Sequence, residues 1–292
     1  MLRSRTTTHV SWRTLSRSYS SQFTRVKSFN GGPEDVNSLD FSEPMVFPKQ
    51  FADVPAIRKW FMRVDNPPNE ETLYDPDMSY LGRHGSLMVP LELTRHNPTP
   101  GLEEVRTSIP SFERFEAPLS LLLTHINSED CSQQLYLAQC SLDDLPDDLR
   151  NDLPTPALLS RIGRGDIYAS SIWMGRPPTS TPLHRDPNPN LFVQLVGRKV
   201  IRLMRPKQGR LLYERLSQKG HAHMRSEEMM VGEERDRLQK TVWKEEEVDG
   251  MSASGVEARL EGGDGLYIPL GWWHAVESYG THTNASVNWW FR

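Results

Sequence analysis

Beyond Asp166 the chain breaks into short apolar runs, Ile167 to Met174, Leu191 to Val196, Lys199 to Met204, Gly265 to Pro269 and Ala285 to Phe291, most of them bounded by Gly, Pro or Asn. Runs this short and this often punctuated by turn residues are strands rather than buried helices. Several in succession close into a sandwich or barrel of the jelly-roll kind. The expected architecture is therefore mainly β with flanking helices. Upstream, Leu121-Leu122-Leu123 and Leu135-Tyr136-Leu137 are strand or buried-helix pieces, and Leu142 to Leu159 reads as short helices joined by turns. The charged block Ser226 to Asp249 reads as a solvated helix or an insertion between strands, without chemistry of its own.

The chain has 292 residues, 37% hydrophobic and 25% charged, and a net charge of −4, an ordinary globular balance that leaves nucleic acid as a minority partner. No apolar stretch reaches the roughly 18 residues of a membrane span. Cys131 and Cys140 are the only cysteines, too few for a disulfide framework and not spaced for zinc, so both are expected to be reduced structural thiols.

Residues 1–30 carry Arg3, Arg5, Arg13, Arg17, Arg25 and Lys27 among many Ser and Thr, and the first acidic residue is Glu34. That composition is expected of a mitochondrial targeting segment, with Arg17-Ser18-Tyr19-Ser20-Ser21 as the stretch where a matrix peptidase cuts. The matrix is the expected location, with nucleus or cytoplasm as alternatives. Residues 31–117 come next as an N-terminal extension of short helices and strands packing on the core, and 118–292 as the jelly-roll domain.

Two motifs carry chemistry. In Thr181-Pro182-Leu183-His184-Arg185-Asp186, His184 and Asp186 lie two apart, so on an extended strand both leave the same face and converge on one ion. Imidazole with carboxylate suits divalent iron, and a third ligand completes a facial triad with open positions. The second motif, Gly262 to His274, is a tight turn feeding a strand that ends at Pro269 and then presents His274 beside Trp272 and Trp273. The pair His221 and His223 beside the charged block is read as surface.

The run GDGLYIPLGWWH, with HxD upstream, resembles the distal-histidine segment of JmjC proteins, the cupin-like Fe(II)- and 2-oxoglutarate-dependent oxygenases, and most of all the group around the asparaginyl hydroxylase of hypoxia-inducible factor. The resemblance covers Pro118 to Arg292 with firm motifs and Glu43 to Asn97 loosely. It implies a double-stranded β-helix core and iron held by His184, Asp186 and His274. Lys199, fifteen residues after His184, matches the lysine that salt-bridges the distal carboxylate of 2-oxoglutarate. Thr181 and Tyr136 match hydroxyl donors to that carboxylate, and Asn190 and Asn288 match asparagines lining the cosubstrate and iron pocket. Trp272, Trp273, Trp289 and Trp290 are candidates to wall the site.

The resemblance further implies Fe(II) as cofactor, 2-oxoglutarate and O2 as cosubstrates, and succinate and CO2 as co-products of oxidising a protein side chain. An N-methyl-lysine demethylase or an RNA-base hydroxylase would use the same site, and a non-catalytic jelly-roll binding module is the alternative from another class. The chain stops at Arg292, where the asparaginyl hydroxylase continues into a helical dimerisation element, so a monomer without membrane contact is expected. Substrate residues are looked for in the N-terminal third and around Arg205 to Gly220. No GxSxG, P-loop or Rossmann glycine pattern points to another chemistry.

Overall fold

In the computed structural model the described residues are 22–292 apart from 33–34, 37–38, 65–71, 96–110, 129–132, 218–229 and 231. Residues 1–21, Cys131, His221 and His223 lie outside them. Two sheets face each other. The smaller is ordered β1 (Phe23–Arg25), β13 (Gly255–Glu261), β12 (Arg198–Met204), β15 (Trp273–Tyr279) and β10 (Ser180–Arg185). The larger is ordered β2 (Lys27–Ser28), β3 (Met45–Phe47), β14 (Gly265–Ile268), β11 (Asn190–Val196), β16 (Asn284–Phe291), β9 (Ile167–Gly175), β8 (Gln133–Ser141), β6 (Met88–Arg95) and β7 (Ser111–Pro118). The hairpin β4 (Phe61–Val64) and β5 (Leu73–Pro76) stands apart. Strands β9 to β16 divide between the sheets in antiparallel pairs, β9, β11, β14 and β16 in the larger and β10, β12, β13 and β15 in the smaller, which is the jelly-roll core.

Strands β11 and β16 are buried along their whole length, so each must satisfy a neighbour on both faces. Alternation decides what goes where. Leu191, Val193, Leu195, Val287, Trp289 and Phe291 turn outward into the main apolar cluster, together with Leu119, Leu122, Leu123 and Ile126 of helix α2 (Leu119–Ile126). That i, i+3, i+4, i+7 stripe is why Leu119–Ile126 is a helix laid on the sheet rather than a strand. A shorter helix, α1 (Pro55–Lys59), precedes it, and α3 (Asp147–Asn151) and α4 (Leu159–Ile162) come after. The extension is anchored by Asp152, 1% exposed, which accepts from Lys59 Nζ at 2.6 Å, Trp60 Nε1 at 3.0 Å and Tyr80 Oη at 2.6 Å. Burial pushes its pKa up, but these three donors and the Lys59 charge outweigh that and hold it below the usual value.

Helices α5 (Pro206–Leu216) and α6 (Glu233–Trp243) cover the outer face of the smaller sheet with Leu212, Tyr213, Leu216, Leu238 and Val242. The charged block is thus an insertion between β12 and β13, with one buried face. Gly209 lets α5 approach; a methyl there would collide with Trp273.

Two boundaries drawn from the sequence move. Phe23–Arg25 and Lys27–Ser28 are strands of the folded body, with Phe23 1% and Val26 4% exposed, so Arg25 and Lys27 stand on described strands. β1 pairs with β13 and β2 with β3, so this short segment adds an edge to each sheet. At Pro118 there is no break either, because β6 and β7 continue the larger sheet beyond β8. The pairing of β1 with β13 joins distant segments, which local composition does not encode.

Candidate metal and cosubstrate site

The inner faces of the sheets are lined differently from the outer ones. In the smaller sheet, cross-strand pairing sets His184, His274 and Leu203 in one row and Thr181, Val276 and Ile201 in the next, while Lys199 stands beside Ser278 in the row after. Paired residues share a face, so the histidines, Thr181 and Lys199 all look inward. In the larger sheet, Asn190, Phe192 and Gln194 alternate inward on β11, opposite Trp290, Asn288 and Ser286 of β16.

Ligand atoms of His184, Asp186 and His274 lie within 4.8 Å of one another, the one such group among the described residues. His274 Nε2 is 3.5 Å from Asp186 Oδ2 and the two imidazole centroids are 4.2 Å apart. His184 Nδ1 donates to the Pro182 carbonyl at 2.8 Å. That contact selects the tautomer whose Nε2 carries the lone pair that an ion would take. Asp186 is positioned by a relay in which Asn288 Nδ2 donates to Asn190 Oδ1 at 2.9 Å and Asn190 Nδ2 donates to Asp186 Oδ2 at 2.8 Å. Burial raises the Asp186 pKa, but His274 and His184 lower it further, helped by Trp290 and Asn190, and the net direction is down. The carboxylate therefore stays anionic. Two imidazoles and one carboxylate on one buried face are the donor set of a facial iron site.

At the other end Lys199 is 3% exposed. Nζ donates to Ser286 Oγ at 2.7 Å and Tyr136 Oη at 3.3 Å, and lies 5.3 Å from the Phe192 ring centroid. No carboxylate pairs with it among the described residues, and burial pulls its pKa down to about 7. A buried cation without a counter-charge is costly. It fits a site built to receive an anion from outside the chain. Four residues separate the Leu203 and Lys199 rows, about 13 Å of strand. A lysine side chain and a five-carbon dicarboxylate together span that distance. The residues present thus fit a divalent metal at one end and 2-oxoglutarate at the other.

Of the residues singled out in the sequence, the three triad members come together at one end, and Lys199 and Tyr136 meet at the other. Asn190 and Asn288 are linked to Asp186 by hydrogen bonds. Thr181 stands on the same face between the two ends, whereas the hydroxyl that reaches Tyr136 is Thr179. Of the four tryptophans, Trp290 lies beside Asp186 and Trp272 packs in the inner cluster with Phe192 and Leu203. Trp289 joins the outer core, Trp273 lies beneath α5, and Trp272 donates from Nε1 to the Ser42 carbonyl at 3.0 Å. Ser286 and Thr179 have no signature in the sequence, since a lone hydroxyl carries no spacing signal. Cys140 is buried with its thiol pushed up to about 12, an inert group. No described helix is long and apolar enough to cross a membrane.

Residues 36–292 match the family of cupin-like domains. JmjC domain-containing protein D of Dictyostelium discoideum is 31% identical over 214 residues, 69% of this chain and 44% of that protein. Lysine-specific demethylase JMJ30 of Arabidopsis thaliana is 32% identical over 167 residues, 56% and 35% of the two chains. Lysine-specific demethylase 8 of Danio rerio is 36% identical over 158 residues, 53% and 36%. The chain spans less than half the length of these relatives. With the jelly-roll strands, the histidine and aspartate donors and the matched span, this chain belongs to the JmjC-type, cupin-like family.

Proposed function

We propose that the protein is an Fe(II)- and 2-oxoglutarate-dependent oxygenase that hydroxylates a protein side chain. The observation that carries the reading is the pairing, on one inner face, of a three-donor metal group with a buried lysine that has no carboxylate partner among the described residues. His184, Asp186 and His274 would hold the metal, and Lys199 with Tyr136 the distal carboxylate of the cosubstrate. Bound iron supplies the oxidising power, coupling decarboxylation of 2-oxoglutarate to oxygen insertion into substrate. The chain's own residues orient. The Pro182 carbonyl fixes the His184 tautomer and the asparagine relay fixes Asp186.

The test is anaerobic Fe(II) binding and succinate formation from 2-oxoglutarate by wild type, His184→Ala and Lys199→Ala. Wild type should bind iron and form succinate, His184→Ala should do neither, and Lys199→Ala should bind iron yet need far more cosubstrate. A wild type that binds no iron leaves a jelly-roll binding module. Relatives named lysine-specific demethylases support a second reading, N-methyl-lysine demethylation. Product mass separates the two. Hydroxylation adds one oxygen atom to the substrate, whereas demethylation removes a methyl group and releases formaldehyde.

The Arg-rich, acid-free composition of residues 1–21 supports a mitochondrial protein and hence a mitochondrial substrate. Import of the full chain into isolated mitochondria, with loss of that segment, tests this; a chain left outside and uncut overturns it.

A further inference from the structure

We infer that Ser286 is a positioning residue for the cosubstrate, holding the Lys199 amine in the pocket without competing for it as an anion. The inference rests on reading the pocket as the 2-oxoglutarate site. Ser286 is fully buried on β16, in the larger sheet, and Lys199 rises from β12 in the smaller one. Their 2.7 Å contact crosses the interior and fixes where the end of a long, rotamer-rich side chain lies. Its other hydrogen-bond partner is also a hydroxyl, Tyr136 at 3.3 Å.

The choice of hydroxyls has a chemical consequence. A hydroxyl accepts from an ammonium and can turn to donate to an amine lone pair, so both contacts survive gain or loss of the lysine proton. A carboxylate at either place would lock Lys199 into an internal ion pair that an incoming dicarboxylate has to break. The groups facing Lys199 keep that role open. Phe192 offers a ring face from β11, Ser278 of β15 pairs its Oγ with Thr179 Oγ1 at 2.7 Å, and the acid near Tyr136, Glu92 of β6, is tied up by Arg114 at 2.5 Å. The burial that pulls Lys199 toward neutrality supports the same picture, because the arriving carboxylate then supplies the charge that the site lacks.

The experiment titrates N-oxalylglycine, an unreactive analogue of 2-oxoglutarate, into wild type, Ser286→Ala, Ser286→Thr and Ser286→Asp loaded with Mn(II), with metal affinity and thermal unfolding measured alongside. Ser286→Ala should bind the analogue about tenfold more weakly at unchanged metal affinity, and in turnover raise the KM for 2-oxoglutarate while kcat stays close to wild type. Ser286→Thr should recover most of the loss. Ser286→Asp should bind metal and no analogue. Unchanged analogue affinity in Ser286→Ala overturns the inference, as does a fall in metal affinity that tracks the fall in analogue affinity. A wild type that binds Mn(II) but no analogue sinks the cosubstrate reading itself, a result distinct from any Ser286 effect.

Discussion

Replacing Lys199 with methionine should make the protein more stable while removing cosubstrate binding. Burial carries the lysine from its ordinary 10.5 down to about 7. At 1.36 kcal/mol per tenfold change in proton affinity, that corresponds to about 5 kcal/mol held against the folded state wherever the lysine stays protonated in both states. Methionine has nearly the same shape and no charge. It gives up the hydrogen bonds to Ser286 and Tyr136, about 1 kcal/mol each. The variant should therefore gain on the order of 2–3 kcal/mol at pH 6.5. The sign with pH is set by the lowered pKa. Below about pH 7 the lysine is charged folded and unfolded, and the penalty is complete; above it the folded protein holds a neutral amine while the unfolded chain stays protonated. Wild type then recovers about 1.36 kcal/mol per pH unit, and the advantage of methionine should fall to about zero near pH 9. Urea unfolding of both proteins at pH 6.5, 8 and 9, without metal or cosubstrate, measures this. A variant less stable than wild type at pH 6.5, or a gap that does not narrow with pH, refutes the idea of an uncompensated buried charge.

Asn190→Ala should weaken metal binding about 10- to 100-fold in a Mn(II) titration, and Asn288→Ala should do less, because it reaches Asp186 only through Asn190. Phe23→Ala should destabilise by about 3–5 kcal/mol in urea unfolding, since the ring is buried among α5, α6 and the smaller sheet. Asp152→Ala should lose about 2–4 kcal/mol by orphaning the Trp60 and Tyr80 donors. The Asp152 pKa is lowered, so its contribution is present above the ordinary carboxylate range and is lost as pH falls through the folded value. Wild type and Asp152→Ala should accordingly converge in stability under acid.

The metal group was legible because a strand repeats every two residues, so His184 and Asp186 declare a shared face by spacing alone. Lys199 and Tyr136 were legible only by family resemblance; nothing local marks a lysine in Arg198–Met204 as buried. The tryptophans show what the same rule could have corrected. In each of the pairs Trp272-Trp273 and Trp289-Trp290 the neighbours point to opposite faces, so at most one of each could reach the site. The boundary near residue 30 rests on cations alone, yet Arg25 and Lys27 are exposed positions on strands whose partners are β13 and β3. Composition cannot distinguish a cation on an edge strand from one in a leader.

Opposite faces of the same strands also carry opposite tasks, and that separates the effects of mutation. On β11, Leu191, Val193 and Leu195 hold the helices while Asn190, Phe192 and Gln194 line the interior; on β16, Val287 and Trp289 do the first and Ser286, Asn288 and Trp290 the second. Polar groups buried inside the barrel do not help the fold unless fully paired, and Lys199 has hydroxyl partners but no carboxylate among the described residues. Stability comes from the outer faces, where α2, α5 and α6 supply apolar cover, and from the inner apolar cluster around Phe192, Ile201, Leu203, Leu260 and Ile268. Moving one residue along either strand should switch the phenotype. Val287→Ala should lower stability by about 1–3 kcal/mol and leave metal affinity alone, whereas Asn288→Leu should keep stability and loosen the metal. If the two substitutions behave alike, the division of labour between the faces is wrong.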